Sequence, residues 1–161
     1  MKVLANDGIS QSGIDALEAK GFEVITTNVA QEQLISYINE NEVTVLLVRS
    51  ATTARKELVD SCPSLKIIGR GGVGMDNIDV AYAREKGLNV INTPASSSAS
   101  VAELVFAHLY GGVRFLHDSN RNMPLEGETN FKGLKKAYAK GIELRGKTIG
   151  IIGFGRIGQE V

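Results

Sequence analysis

Short apolar runs alternate with amphipathic stretches through residues 1–92, and this alternation limits the possible folds more than any other feature. The runs predict five strands, at residues 2–5, 22–26, 43–48, 65–69 and 89–92. The stretches between them predict helices at residues 10–20, 31–41, 56–61 and 77–86. The run at residues 43–48 contains only β-branched residues and leucine, which is typical of a parallel strand buried on both faces. Strands and helices that alternate in this way predict a parallel α/β sheet.

A further strand is predicted at residues 148–152, and it leads directly into Gly153-x-Gly155-x-x-Gly158. Gly153 would allow a tight turn out of the strand, and Gly155, which has no Cβ, would let a pyrophosphate approach the backbone. Gly158 would let the following helix pack against the strand. A strand followed by glycines at this spacing is the fingerprint of a dinucleotide-binding turn.

The composition fits a globular protein, because 43% of the residues are hydrophobic. The 18 basic and 18 acidic residues balance, which argues against nucleic acid or a membrane surface as a partner. Residues 1–5 indicate a strand rather than a signal peptide, and no apolar run approaches the roughly 20 residues that span a bilayer. The one cysteine, Cys62, is interpreted as a small buried residue in a reducing compartment. We therefore expect a cytoplasmic protein, with no metal site.

Two turns at the carboxyl ends of predicted strands carry residues that suit anion binding, and this edge is where open α/β sheets bind ligands. The first turn is Arg49-Ser50-Ala51-Thr52-Thr53. Its arginine supplies a planar fork for a carboxylate or phosphate, and its hydroxyl groups supply further donors. The same residues also fit a helix N-cap beside a surface arginine, so the turn alone does not decide between the two interpretations.

The second turn is Arg70-Gly71-Gly72-Val73-Gly74-Met75-Asp76-Asn77. Its glycines would let the backbone approach a small ligand, and its successive N–H groups would form an anion-binding nest. A tight structural turn capped by Asp76 or Asn77 explains the same pattern, and Asn77 is also the predicted N-cap of the next helix. Neither His108 nor His117 has a local carboxylate partner that would indicate catalysis.

The sequence changes character after Pro94, where a run of small polar residues predicts a domain boundary or hinge. Ser100-Val-Ala-Glu103 is a capping box, and it predicts a long helix from Ser100 to about Asn120. Residues 123–140 have weak periodicity and predict a loop with a short helical piece. The lysines of this loop, which indicate either a solvated basic surface or an anion-binding one, are Lys132, Lys135, Lys136 and Lys140.

Five segments of the chain, taken together and in order, resemble the NAD-dependent D-2-hydroxyacid dehydrogenase family. They are Arg49-Ser-Ala-Thr52, Leu65-Lys-Ile-Ile-Gly-Arg-Gly-Gly-Val-Gly-Met-Asp-Asn77, Gly87-Leu-Asn-Val-Ile-Asn-Thr-Pro94, Ser100-Val-Ala-Glu-Leu104 and Gly146-Lys-Thr-Ile-Gly-Ile-Ile-Gly-Phe-Gly-Arg-Ile-Gly158. The resemblance implies a flavodoxin-like substrate-binding lobe at residues 1–94, followed by the beginning of a Rossmann nucleotide-binding lobe at residues 95–161. It also implies a homodimer whose interface is formed by the long helix, residues 100–120.

The same resemblance implies which residues bind a small anionic 2-hydroxy acid. They are Arg49, Ser50, Gly72, Val73, Gly74, Asn77 and Lys136. Arg49 and Ser50 would hold the anionic end of the substrate, and the glycine turn, shaped by Asn77, would line its carboxylate. Val73 stands where relatives often have threonine, and valine cannot make that side-chain hydrogen bond. Lys136 would be an extra phosphate ligand, acting on the partner subunit.

The implied cofactor is NAD, and the residues implied to bind it are Gly153, Gly155, Arg156, Ile157 and Gly158. Arg156 and Ile157 would contact the pyrophosphate through their backbone N–H groups, and the Arg156 side chain is a further candidate ligand. The acidic residue that selects NAD over NADP in the family would lie beyond Val161.

The resemblance implies an oxidoreductase that oxidises D-3-phosphoglycerate to 3-phosphohydroxypyruvate with NAD, at the start of serine biosynthesis. The family's catalytic arginine, glutamate and histidine lie downstream of the glycine motif, and none is present in residues 1–161. We therefore expect a truncated portion that has no activity of its own. Two alternatives remain. One is another D-2-hydroxyacid dehydrogenase, such as a glyoxylate or hydroxypyruvate reductase, and the other is a non-catalytic, NAD-sensing relative that binds proteins.

Overall fold

In the computed structural model, which describes residues 1–161, five strands form one parallel sheet. The strands are β1 (Lys2–Ala5), β2 (Glu23–Ile25), β3 (Val45–Val48), β4 (Ile67–Arg70) and β5 (Asn89–Asn92). Their order across the sheet is β2-β1-β3-β4-β5, and each neighbouring pair is parallel. This is the flavodoxin-like order, in which the direction of winding reverses between β1 and β3. The α/β fold predicted from the alternating pattern is therefore confirmed.

The chain divides into two compact units, Met1–Ser96 and Ser97–Val161, and the sheet lies in the first. The core of the first unit is built on one face of this sheet. Leu4, Leu46, Ile68 and Val90 lie side by side across β1, β3, β4 and β5, and all four are buried. Burying one leucine or isoleucine side chain contributes about 1.5–3 kcal/mol of transfer free energy, so this row supplies a large share of the stability.

Four helices connect the strands of the first unit and cover the sheet. They are α1 (Gln11–Glu18), α2 (Leu34–Glu40), α3 (Lys56–Ser61) and α4 (Val80–Glu85), with a 3₁₀ turn, Gln31–Gln33, before α2. Gly21 and Gly87, the predicted stops of the first and fourth helices, have φ angles of +80° and +86°, which glycine adopts without strain. The predicted N-cap of α4 is wrong. The helix begins at Val80, and the Asn77 side chain binds a different loop.

Cys62 follows α3 and is buried, as predicted, with 1% of its surface exposed. Burial raises the pKa of its thiol to about 11, because a thiolate would lose its hydration there. The thiol is therefore protonated at neutral pH. A protonated thiol is a poor nucleophile, so Cys62 acts in this fold as a small apolar core residue.

The second unit contains three helices: α5 (Ser98–Val113), α6 (Leu116–Tyr138) and α7 (Arg156–Glu160). The predicted continuous helix to Asn120 is wrong, because Phe115 has a left-handed φ of +55° and separates α5 from α6. The predicted capping box is also wrong. Helix α5 begins at Ser98, so Ser100 lies inside it and no side chain caps its first turn. None of the seven helices in the chain combines the length and apolar content needed to cross a membrane.

The predicted loop at residues 123–140 is helical as far as Tyr138. The Tyr138 hydroxyl donates to the Asp118 carbonyl oxygen at 3.1 Å and accepts from the Asn122 side chain at 3.0 Å. Asp118 and Tyr138 would be about 30 Å apart on a straight helix. The two halves of α6 therefore fold back on one another at Asn130, whose φ and ψ are not helical. This long-range packing stabilises helices that sequence periodicity alone did not predict.

The predicted strand at residues 148–152 does not form. No other strand lies in the second unit, so the backbone N–H and C=O groups of this segment have no ladder to join. Its apolar side chains are correspondingly exposed, with 52% of Ile149 and all of Ile152 open to solvent.

Candidate functional site

A cleft of about 650 Å³ opens at the carboxyl edge of the sheet in the first unit. Residues that follow four strands line it, among them Asp7 after β1, Arg49 after β3, Gly71 after β4 and Thr93 after β5. Asp7 and Arg49 follow neighbouring strands at the point where the winding reverses, and this is where open α/β sheets bind ligands. The position agrees with the edge that the sequence predicted.

The floor of the cleft is apolar and flat. Leu47, Gly69 and Ile91 lie side by side across β3, β4 and β5 on the face opposite the core. A Cβ on residue 69 would lie 2.8 Å from the nearest Leu47 methyl carbon, so glycine at this position keeps the floor open. The rim, in contrast, carries the charged and hydrogen-bonding groups of the strand ends.

The Arg49 loop, residues 49–53, projects its arginine from this rim. The Arg49 guanidinium is exposed and makes no hydrogen bond or ion pair, and the Ser50 hydroxyl is also without a partner. The alternative interpretation of this turn as a helix N-cap is wrong, because α3 begins at Lys56 and its N-cap is Arg55. A cationic fork and a hydroxyl group are therefore free to bind an anion.

Asp7 holds the Arg49 loop from the side of β1. One oxygen of its carboxylate accepts the Arg49 N–H at 2.6 Å and the Thr52 N–H at 3.1 Å. The other oxygen accepts the Thr52 hydroxyl at 2.5 Å. Burial opposes ionisation of Asp7 most strongly among the individual influences. The hydrogen bonds from Thr52 and Arg49 together outweigh it, and they lower the pKa of the carboxyl group below its usual value.

Asn77 and Arg70 hold the same loop from the side of β4. The Asn77 amide donates to the Arg49 carbonyl oxygen at 2.9 Å and to the Thr52 carbonyl oxygen at 2.6 Å. The Arg70 Nε donates to the Arg49 carbonyl oxygen at 3.2 Å. Asn77, which ends the glycine turn, therefore ties that turn to the Arg49 loop. The resemblance had implied a role for Asn77 in shaping the glycine turn itself. The Asn77 Oδ1 atom is buried and has no partner in the structure.

Asn6 and Gln31 complete the support of the loop. The Asn6 side chain is 97% buried and donates to the Thr52 hydroxyl oxygen at 2.8 Å, while its amide also makes two hydrogen bonds with the Val29 backbone. The Gln31 side-chain amide likewise accepts the Thr53 N–H at 2.9 Å and donates to the Thr53 carbonyl oxygen at 3.0 Å. Sequence reasoning missed Asn6, Asp7 and Gln31. The available signal was the polar Asn6-Asp7-Gly8 that directly follows β1 at the carboxyl edge of the sheet.

The glycine turn lies against the Arg49 loop. A Cβ on Gly71 would be 3.5 Å from the Arg49 Cγ atom. The Arg70 guanidinium curls back to donate to the Gly74 carbonyl oxygen, and a Cβ on Gly72 would approach that guanidinium to 2.9 Å. The turn is tied to β5 as well, because the Asn92 side chain donates to the Val73 carbonyl oxygen at 2.7 Å.

These ties leave two N–H donors of the glycine turn free. Gly72 donates its N–H to the Arg70 carbonyl oxygen, but the N–H groups of Val73 and Gly74 have no acceptor within the chain. The Val73 side chain is half exposed and apolar. The structure thus brings together Arg49, Ser50 and the backbone of the glycine turn at one edge of the first unit, and their donors are open to an anion.

The remaining predicted residues lie in the second unit. Gly153 has a φ of +94°, and Gly155, which precedes α7, has open space where a Cβ would be. A Cβ on Gly158 would collide with the Gly153 carbonyl oxygen. The glycines at Gly153 and Gly158 are thus required by the backbone, and the contact of this turn with a pyrophosphate stays a prediction. Arg156 and Ile157 begin α7, with the arginine side chain exposed.

Lys136 lies in the last turn of α6 and is exposed. Its contact with a phosphate stays a prediction. His108 and His117 make no hydrogen bond to a carboxylate, so neither belongs to a histidine–carboxylate pair of the kind that general acid–base catalysis uses.

Comparison with known proteins places the chain among enzymes of one kind. Residues 3–148 match the family described as D-isomer specific 2-hydroxyacid dehydrogenase, catalytic domain. A D-3-phosphoglycerate dehydrogenase of Methanocaldococcus jannaschii is 40% identical over 161 residues, which are 100% of this chain and 29% of that protein. A hydroxypyruvate reductase of Thermotoga maritima is 41% identical over 161 residues, which are 99% of this chain and 50% of that protein.

A solved structure has a similar backbone. The NAD-dependent formate dehydrogenase from Staphylococcus aureus, in complex with NAD, superposes with a TM-score of 0.77 at 29% identity. The match covers 99% of this chain and 51% of that one. The chain therefore spans about half, or less, of the length of the relatives that it matches.

Proposed function

Because the chain belongs to the D-isomer specific 2-hydroxyacid dehydrogenase family, we propose that its first unit binds the anionic end of a small 2-hydroxy acid. Membership confirms the resemblance that the sequence motifs predicted. One observation carries the proposal. Arg49, whose guanidinium is unpaired, packs its Cγ atom against Gly71, and Gly71 belongs to a glycine turn whose Val73 and Gly74 N–H groups are free, at the edge where such sheets bind ligands. A cation and free backbone donors suit a substrate that carries a carboxylate or a phosphate.

The substrate that we propose is D-3-phosphoglycerate, which the whole protein would oxidise to 3-phosphohydroxypyruvate at the entry to serine biosynthesis. The 40% identity to a D-3-phosphoglycerate dehydrogenase over the whole chain supports this choice. Phosphoglycerate carries two anionic groups, and the two neighbouring donor sets, Arg49 with Ser50 and the glycine turn, offer a place for each. Lys136 is the proposed additional phosphate ligand.

The proposed cofactor is NAD, which when bound accepts the hydride from C2 of the hydroxy acid. The turn at Gly153, Gly155 and Gly158 would hold the pyrophosphate, with the N–H groups of Arg156 and Ile157 facing it. In residues 1–161 neither histidine is paired with a carboxylate. We therefore propose that these residues bind and orient the substrate, and that they supply no acid–base group for its oxidation.

We also propose that residues 100–120 form a homodimer interface. Several large apolar side chains of α5 and the start of α6 are exposed: Leu104, Val105, Tyr110 and Leu116. Exposed apolar clusters of this kind mark protein–protein contacts. Sedimentation velocity at several concentrations tests the proposal. A dimer that dissociates when Leu104 is changed to Glu would support it, and a monomer at all concentrations would contradict it.

A reductase of unphosphorylated hydroxy acids is the second candidate. The 41% identity to a hydroxypyruvate reductase supports it equally well on sequence grounds. Its substrate would need only one of the two donor sets. The candidates differ in one measurement, namely NADH oxidation by the complete enzyme that carries these residues, with 3-phosphohydroxypyruvate, hydroxypyruvate or glyoxylate. A strong preference for the phosphorylated acid supports the first candidate, and equal or better use of the other two supports the second.

The proposed anion site can be tested on the chain itself by titrating ¹⁵N-labelled protein with 3-phosphoglycerate and with glycerate. We expect the amide resonances of residues 49–52 and 71–74 to move. Arg49→Gln should weaken binding about 10–150-fold, because a hydrogen bond to a charged partner contributes about 1.5–3 kcal/mol. Lys66→Gln removes the same charge at the opposite edge of the sheet and should leave the affinity unchanged. Resonances that do not respond to either acid would refute the site.

A further inference from the structure

The Arg49 loop has no regular secondary structure, so side chains from other parts of the chain determine its conformation. Among these side chains, Asp7 is the only one that carries a negative charge. All three of its hydrogen bonds go to this loop, through the Arg49 N–H, the Thr52 N–H and the Thr52 hydroxyl. Asp7 lies on the neighbouring strand end across the reversal point of the sheet, and it also lines the cleft.

The ties on the two sides of the loop have opposite polarity. Asp7 accepts from the loop's N–H groups, and Asn77 donates to the loop's carbonyl groups at Arg49 and Thr52. The same two residues of the loop are therefore fixed at both their donor and acceptor groups. Between them, the Ser50 N–H has no acceptor, so it remains free to bind a ligand. The orientation of the Arg49 side chain is set by the backbone from which it projects.

We propose that Asp7 is a positioning residue for substrate binding, and that the hydrogen bonds of its side chain fix the Arg49 loop in the conformation that presents Arg49 and Ser50 to the substrate anion. This inference rests on the proposed function of the loop. Asp7 does not touch the substrate in this proposal, and it acts through the Arg49 and Thr52 backbone alone. The two carboxylate oxygens divide this task, because one accepts both N–H groups and the other accepts the Thr52 hydroxyl.

Two variants separate the effect of the Asp7 hydrogen bonds on the Arg49 loop from an effect on the stability of the whole unit. Asp7→Ala removes all three acceptors and leaves the Arg49 and Thr52 N–H groups unpaired. Asp7→Asn keeps one oxygen for these N–H groups, and its amide can donate to the Thr52 hydroxyl oxygen once that hydroxyl has turned. We therefore expect Asp7→Asn to rescue most of the loss. Asp15→Ala is the matched control, because Asp15 is an exposed aspartate on α1 whose side chain contacts only Gln11.

The test measures two quantities on the intact chain: the dissociation constant of 3-phosphoglycerate from the NMR titration, and the hydrogen-exchange rates of the Arg49 and Thr52 amides. For Asp7→Ala we expect binding to weaken about tenfold and the two amides to exchange at least about tenfold faster, in line with the loss of one or two hydrogen bonds. Asp7→Asn should change each quantity less than about threefold, and Asp15→Ala should change neither. Amides of the Leu46 and Ile68 core report whether the whole unit has loosened.

Three outcomes would overturn the proposal. They are unchanged binding by Asp7→Ala, unchanged exchange of the two loop amides, and faster exchange of the core amides to the same extent as the loop amides. If Asp7→Ala does not fold, Thr52→Val replaces it. This variant removes the hydroxyl that donates to Asp7 and accepts from the Asn6 amide, and an affinity equal to that of the wild type would then count against the proposed role of Asp7. Absence of binding by the wild-type chain would refute the proposed function, whereas the exchange rates would still decide whether Asp7 fixes the loop.

Discussion

The buried Asn6 side chain offers the most direct test of how the first unit supports its site. Asn6 makes two hydrogen bonds with the Val29 backbone, accepting the N–H at 2.8 Å and donating to the carbonyl oxygen at 3.1 Å. Its amide also donates to the Thr52 hydroxyl oxygen. We predict that Asn6→Ala destabilises the first unit strongly, because it leaves the buried N–H and C=O groups of Val29 without partners.

The expected loss follows from burial at this position. Only 7% of Val29 and 3% of Asn6 are exposed, so water cannot easily replace the lost hydrogen bonds. A buried polar group without a partner costs about 1–3 kcal/mol. Two such groups give a loss of about 2–6 kcal/mol, which is a large part of the 5–15 kcal/mol that stabilises an ordinary domain.

Urea unfolding, followed by NMR signals of the Leu46 and Ile68 amides, measures this loss in the first unit separately from the second. Asn28→Ala is the control. The Asn28 side chain donates one hydrogen bond to the Asn6 carbonyl oxygen at 2.8 Å, and it is exposed. Water can replace this hydrogen bond, so we expect Asn28→Ala to lower the free energy of unfolding by about 0.5–1.5 kcal/mol. An Asn6→Ala variant no less stable than Asn28→Ala would refute the argument from buried, unpaired groups.

Two further predictions concern other parts of the chain. The pKa of the Cys62 thiol is raised from 9.0 to about 11 in the folded state, so the unfolded state loses this proton first, and the free energy of unfolding should fall between pH 9 and 11 by up to about 3 kcal/mol. Urea unfolding at pH 8 and 10.5 should show a smaller fall for Cys62→Ala than for the wild type. Equal falls would contradict the prediction. Gly158→Ala should shift the NMR signals of residues 153–160, because the new Cβ would meet the Gly153 carbonyl oxygen. Gly150→Ala is the control, because a Cβ at residue 150 has open space and should leave these signals in place. Equal effects of the two variants would contradict this prediction.

The sheet was predictable because each of its strands contains at least two consecutive apolar residues, and helical stretches separate these short runs. The bounds predicted for α3 and β5 agree with the structure to the residue, since Pro63 and Gly87 limit them locally. The helical hairpin within α6 was not predictable in the same way. It depends on contacts such as that between Tyr138 and Asp118, which lie 20 residues apart in sequence.

The candidate site was predictable only in part, for a similar reason. Arg49 and the glycines of the second turn have chemical characters that are visible one residue at a time. The supporting residues show no such character in the sequence. Asp7 supports the site because it accepts a hydrogen bond from Thr52, 45 positions away, and Asn6 because it accepts one from Val29, 23 positions away. A polar residue after an apolar strand is common, and its partners become visible only when the parallel strands bring their carboxyl ends together.

The contacts that support the proposed substrate site lie in one part of the fold. Asp7 follows β1, Arg49 follows β3 and Asn77 follows β4, so the loop that presents Arg49 is fixed by the same sheet that forms the core. All of its hydrogen bonds lie within Met1–Ser96. The conformation proposed to bind the anion therefore does not need the glycine motif of the second unit to create it. A site that is formed before ligand binding loses less conformational freedom when the ligand arrives, so more of the proposed Arg49 interaction would be left to contribute to affinity.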